Sequence, residues 1–113
     1  MIKIYHNPRC SKSRQTLEIL QHAGQQPEVI EYLKTPPTAS ELRDLLQKLN
    51  LKPEQLLRKG EQLYKDKYKN QQLTDKELIA IMAENPVLIE RPIVVKDNKA
   101  VLGRPPENVL ELL

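Results

Sequence analysis

The chain has 113 residues, a length that predicts one compact domain able to bury roughly two-thirds of its unfolded surface without metals or disulfide staples. With four Tyr, no Phe and no Trp, the core must come from Leu, Ile and Val, and recognition by aromatic stacking on single-stranded nucleic acid loses support. The net charge of +3 arises from interspersed signs, 18 Lys+Arg against 15 Asp+Glu, and a single Cys excludes an internal disulfide.

Ile2, Ile4 and Tyr5 form a short apolar run halted at Asn7-Pro8, which predicts a buried strand over residues 2–5. From Ser11 the period becomes helical: Leu17, Ile19, Leu20 and Ala23 share a face, and Gly24 stands where a helix-closing glycine belongs. Glu28 to Tyr32 predicts a second strand, ended by Thr35-Pro36-Pro37. Thr38 and Glu41 have capping-box spacing ahead of Leu42, Leu45, Leu46 and Leu49. Pro53 opens a short helix through Leu56 and Leu57, and Glu61 to Tyr68 reads as a more charged helical piece. Thr74 and Glu77 repeat the capping-box spacing before Leu78, Ile79, Ile81 and Met82, with Asn85-Pro86 closing that helix.

The tail returns to strand. Ile93-Val94-Val95 is β-branched, and Lys96-Asp97-Asn98-Lys99 is a hairpin turn into Ala100-Val101-Leu102. Gly103 ends the hairpin, and Pro105-Pro106-Glu107 starts a last helix expected to face inward through Val109, Leu110 and Leu113. The whole reads as an α/β domain over residues 1–113: a βαβ half and a ββα half in one mixed sheet, separated by a helical insertion over about 38–85. No run approaches the roughly 18 apolar residues of a membrane span, and Met1–Tyr5 lacks a signal-peptide core. The expectation is a soluble, cytoplasmic monomer that binds neither nucleic acid nor membrane.

Cys10 is the first candidate for chemistry. It follows a strand and an Asn-Pro turn and directly precedes a helix, so free backbone N–H groups and the positive helix end favour its thiolate, the nucleophilic form. Lys3, Arg9, Lys12 and Arg14 surround it, and no acidic residue occurs before Glu18. Ser11 and Ser13 offer hydroxyl hydrogen bonds to a sulfur anion or a bound oxyanion. The plainer alternative is a small buried hydrophobe. A Cys-x5-Arg phosphatase loop fails because position 16 is Thr, and the glycines of a Walker loop are missing. Ser13 stands where a Cys-x-x-Cys motif has its second thiol, so any redox chemistry here needs a thiol from another molecule. Two His and one Cys give no basis for a metal site.

Tyr5-His6-Asn7-Pro8-Arg9-Cys10 with Ser13-Arg14 resembles the active-site segment of the glutaredoxin-coupled, ArsC-type arsenate reductase family. Leu56-Leu57-Arg58-Lys59, Asn85-Pro86, Arg91-Pro92-Ile93-Val94-Val95 and Gly103-Arg104-Pro105-Pro106 match its later motifs in order. The resemblance spans essentially the whole chain and is nearest to the short YfgD-like branch. It implies a thioredoxin-like fold, Cys10 as the nucleophile that attacks arsenate, and Arg58, Arg91 and Arg104 as the oxyanion-binding arginines. It further implies that His6 and Ser13, with Arg14 beside them, support the thiolate, and that Pro92 is a cis-proline. The resemblance also implies that no cofactor is bound, with glutathione as the external co-substrate and glutaredoxin as the protein partner. The chain departs from the family at Ser11 and Lys12, where smaller uncharged residues are usual, and over a shortened Lys69–Thr74 segment.

For His6, a backbone-bonding turn histidine stands beside the thiolate role. Two other functions fit the same residues. One is a glutathione-dependent thiol-disulfide oxidoreductase. The other is an Spx-like regulator that uses the fold to bind RNA polymerase, although Ser13 removes the disulfide switch many such regulators carry.

Overall fold

The computed structural model describes residues 1–113, which form two compact units: Met1–Thr35 with Arg91–Leu113, and Pro36–Glu90. The first is built on strands β1 (Ile2–His6), β2 (Glu28–Glu31), β3 (Ile93–Lys96) and β4 (Lys99–Leu102), in the order β2-β1-β3-β4. β2 runs parallel to β1, with His6 opposite Glu31. β3 is antiparallel to β1, with Tyr5 opposite Ile93, and β4 antiparallel to β3, with Ile93 opposite Leu102. A parallel pair needs a crossover, which helix α1 (Ser11–His22) supplies. This is a thioredoxin-like α/β arrangement. Its registers gather the Asn7–Cys10 loop, the turn after β2, Arg91-Pro92 and Gly103-Arg104 at one end of the sheet.

Ile2, Ile4 and Val94 from the sheet, Leu20 from α1, and Val109 and Leu112 from the chain end make the core of this unit, with Leu17, Ile19 and Val101 against it. Burying each such side chain contributes about 1.5–3 kcal/mol relative to leaving it in water. Ile93, Val94 and Val95 are all buried, so this strand reads as an unbroken β-branched run instead of alternating. In the hairpin, Lys96 and Lys99 form the last pair, and Asp97 takes a left-handed φ of 56°.

Two details differ from the sequence reading. Ala23 is exposed, because α1 ends there in a Schellman closure: the Gly24 and Gln25 N–H groups bond the carbonyls of Gln21 and Leu20, with Gly24 at φ 81°. The terminal segment Pro106–Leu112 is a 3₁₀ helix, whose three-residue repeat turns Pro106, Val109 and Leu112 inward. Leu110 and Leu113, which an α period would bury, are 51% and 46% exposed.

The second unit holds α2 (Ala39–Leu49), α3 (Pro53–Leu56), α4 (Gln62–Lys67), α5 (Asp75–Glu84) and a 3₁₀ turn at Pro86–Leu88. Leu42, Leu45 and Leu46 of α2 and Leu78, Ile79 and Met82 of α5 are buried at helical spacing. Leu57 pairs with Ile89 in an isolated bridge beside them. Both anticipated capping boxes form, Thr38 with Glu41 and Thr74 with Glu77. Thr74→Ala leaves the Glu77 N–H without its side-chain acceptor, and should lower stability by about 1 kcal/mol, read in a urea titration. No helix is long and apolar enough to cross a membrane.

Candidate active site

Helix α1 begins at the thiol. The N-cap position usually carries an oxygen side chain that accepts the N–H groups two and three residues on; here it carries Cys10, in extended conformation at φ −96° and ψ 123°. Partial burial raises the Cys10 pKa, but four effects outweigh it: the Ser13 N–H, the charge of Arg91, the Lys12 N–H and a hydrogen bond from the Arg91 guanidinium. The thiol therefore titrates below its ordinary value. Iodoacetamide alkylation of the native protein should show a midpoint below the ~8.5 of a free Cys. Arg91→Gln should move that midpoint up, since it removes the positive charge and the charge-assisted guanidinium hydrogen bond.

The loop before Cys10 is tied to itself. Asn7 Oδ1 accepts the Arg9 N–H at 3.0 Å, and the Asn7 carbonyl accepts the Cys10 N–H at 3.0 Å. The Asn7 N–H donates to Ser13 Oγ at 3.0 Å. Arg14 Nη1 donates to the Pro8 carbonyl at 2.9 Å, so its guanidinium braces this loop.

His6 and Ser13 are both buried, with His6 Nδ1 2.6 Å from Ser13 Oγ. Burial lowers the His6 pKa; Glu31 opposes that shift and Arg14 adds to it. The imidazole thus titrates below its ordinary value, and its hydrogen-bond partner in the site is Ser13. The Ser13 hydroxyl is engaged with His6 and Asn7, and it is the Ser13 backbone N–H that favours the thiolate.

Arg91 owes its place to the next residues. The Arg91–Pro92 bond is cis, and the Pro92 carbonyl accepts the Gly103 N–H at 2.9 Å. Gly103 is buried against Thr16 of α1: a Cβ there would lie 2.5 Å from Thr16 Oγ1 and 2.7 Å from Pro92 Cγ. Helix α1, the cis-proline and the end of β4 thus meet where no side chain fits between them. Arg104 follows directly, exposed, with its carbonyl 3.2 Å from Asn108 Nδ2 and a second cis bond to Pro105.

The first unit therefore brings together Cys10, His6, Ser13, Arg91 and Pro92, with Arg14 of α1 reaching back to the loop and Arg104 leaving the same end of the sheet. Arg58 belongs to the second unit. There its Nη1 bonds Glu61 Oε1 at 2.6 Å and its Nε lies 3.2 Å from Glu90 Oε1. Its backbone N–H donates to the Leu88 carbonyl at 2.7 Å. The sequence reading did not single out Thr16, Glu61 or Glu90, and gave Gly103 no role beyond ending the hairpin. Thr16 lies four residues before Leu20, on the inward face, and Glu61 lies three after Arg58, so both had a local signal. Glu90 had none.

A family model described as the ArsC family matches residues 5–112. The chain is 52% identical to the uncharacterized protein YfgD of Escherichia coli (strain K12), over 99% of this chain and 96% of that one. It is 46% identical to an arsenate reductase of Neisseria meningitidis (strain MC58), over 99% and 97%. A solved arsenate reductase from Vibrio cholerae superposes with a TM-score of 0.95 at 52% identity, over 99% of this chain and 97% of that one.

Proposed function

The chain belongs to the ArsC family, and from that premise we propose that it reduces arsenate to arsenite through a covalent Cys10–arsenate adduct, resolved by glutathione with glutaredoxin as the source of reducing equivalents. The observation that carries this reading is the Cys10 sulfur at the N-cap of α1, its pKa depressed by two backbone N–H groups and Arg91. Relatives named arsenate reductase support the substrate.

The Cys10 thiolate attacks arsenic and water departs. An arsenate oxyanion needs several planar, charge-assisted donors, the task for which guanidinium groups are suited. Arg91 serves at the thiolate, and Arg104 and Arg58 are proposed as the further donors. In the free protein, Glu61 and Glu90 keep the Arg58 charge compensated. His6 and Ser13 position the N–H at sulfur, and Arg14 steadies the loop.

Reducing arsenic by two electrons consumes two thiols, and the chain has one. Dihydrogen arsenate, the Cys10 thiol and one external thiol give dihydrogen arsenite, water and a mixed disulfide, which glutaredoxin then reduces. Glutathione is abundant in reducing compartments, so the proposed location is the cytoplasm.

The experiment is arsenite production by the wild-type protein with glutathione and glutaredoxin; no turnover above a protein-free control overturns the proposal. The depressed thiol pKa also favours a glutathione-dependent thiol-disulfide oxidoreductase, since exchange depends on the thiolate. Turnover of a glutathione mixed disulfide without arsenate turnover selects that reading.

A further inference from the structure

Arg58 and Glu90 flank an isolated antiparallel bridge. Leu57 pairs with Ile89, the Arg58 N–H donates to the Leu88 carbonyl at 2.7 Å, and the Glu90 N–H donates to the Leu56 carbonyl at 2.8 Å. These bonds fix both backbones and leave Arg58 Nε 3.2 Å from Glu90 Oε1. Glu61 meets the same guanidinium from the start of α4, its Oε1 2.6 Å from Arg58 Nη1. It stands at the N-cap of that helix, where a side-chain oxygen usually accepts a backbone N–H, yet it caps nothing and is turned onto the arginine. All three side chains are mostly buried, so water and salt screen them less than an exposed pair.

The charges do not balance. One guanidinium faces two carboxylates, and the neighbouring Lys59 is engaged by Glu54 at 2.6 Å. A cluster built only to attract anions would not carry this excess of negative charge. Its donors and acceptors are complementary to one kind of anion. A guanidinium has five N–H donors, whereas an ionised carboxylate only accepts, at about four lone-pair sites. Glu61 and Glu90 each engage one nitrogen of Arg58, and Glu61 does so through Oε1. An oxyanion that carries a hydroxyl can accept from the remaining N–H groups and donate its O–H to Glu61. A fully ionised oxyanion has no hydrogen to give, and its oxygens meet the carboxylate lone pairs.

We propose that Glu61 makes Arg58 selective for tetrahedral oxyanions that bear a hydroxyl, such as arsenate and phosphate, and against sulfate, which bears none. Glu90 holds the guanidinium at Nε and adds to the repulsion of a fully ionised anion. That an oxyanion reaches Arg58 rests on the arsenate-reductase reading above; the selection among oxyanions rests on the carboxylates.

The test is an amide NMR titration of the full reduced protein with inorganic phosphate and with sulfate, neither of which reacts with Cys10. In mildly alkaline buffer both are mainly dianions of similar size, so the hydroxyl is what distinguishes them. Phosphate should shift Arg58 and Glu61 and bind about tenfold more tightly than sulfate, or better. Glu61→Gln keeps the shape but turns a pure acceptor into a group that also donates. Phosphate binding should then weaken, sulfate binding strengthen, and the preference fall about tenfold. Glu61→Asp retains the carboxylate and should retain most of the preference. Glu54→Gln, which removes a carboxylate engaged with Lys59, is the control and should alter neither Kd. In turnover, sulfate should inhibit the Glu61→Gln protein about tenfold more strongly than wild type, a gain that damage to the fold does not produce. Wild-type affinities for the two anions within about twofold overturn the proposal. So does a preference that survives Glu61→Gln, or a phosphate titration that leaves Arg58 and Glu61 unshifted. If the preference follows Glu61 but the protein reduces no arsenate, the functional reading fails alone.

Discussion

Replacing Cys10 by serine is expected to cut arsenite production on the order of 10³-fold or more, while thermal stability holds or rises. The two halves of that expectation have one structural origin. At the N-cap of α1, the sulfur faces the N–H groups of Lys12 and Ser13 and the guanidinium of Arg91. A serine hydroxyl accepts the same N–H groups and is among the preferred N-cap residues, so the helix start loses nothing. It stays protonated at neutral pH and forms no thiol adduct, so the covalent route closes. Thermal melts measured beside arsenite production separate the two effects. A Cys10→Ser protein that keeps a tenth of wild-type turnover would remove the covalent adduct from the mechanism.

Gly103→Ala is expected to cost about 1–3 kcal/mol, a fall in Tm of about 4–12 °C for a chain of this length. The added methyl would lie 2.5 Å from Thr16 Oγ1, 2.7 Å from Pro92 Cγ and 3.0 Å from Thr16 Cγ2. Thr16 and Pro92 are themselves fully buried, so neither can swing aside into solvent. Pushing Pro92 also moves Arg91, the side chain that hydrogen-bonds the thiolate. The alkylation midpoint of Cys10 should therefore rise in this variant, toward that of a free thiol. Adding Thr16→Ala in the Gly103→Ala background should recover part of the lost stability, because the two changes share one contact and are not additive. Independent, additive losses in the double variant would place the strain elsewhere.

Much of the architecture was legible because its determinants are local. Thr38/Glu41 and Thr74/Glu77 are capping boxes in the sequence and in the structure. The β-branched run Ile93–Val95 predicted a strand, and burial of all three residues accounts for its lack of alternation. The terminal helix and its inward Val109 were placed correctly, but Leu110 and Leu113 were not, because α and 3₁₀ periods differ by little over seven residues. Packing against α1 and β4 settles which period wins.

The site divides in the same way. Cys10 was legible because its chemistry depends on a strand, a turn and a helix start within ten residues. His6 could be placed near it but not given a partner; only the structure shows the ring buried, its pKa lowered, and Nδ1 2.6 Å from Ser13 Oγ. Arg91 lies 81 positions from Cys10, and no spacing rule relates them.

By itself, then, the sequence determined the helix starts, the turn residues, the strand runs and a thiol at a helix N-terminus, because each is specified within about one turn of chain. The tertiary structure decided what stands beside that thiol. Antiparallel pairing of β3 with β1 carries Arg91 to the end of the sheet where Cys10 lies. The close contact of Gly103 with Thr16 and Pro92 then fixes it there. Long-range pairing and close packing are properties of the assembled sheet, and they turn a local thiol into one whose pKa is lowered by a distant arginine.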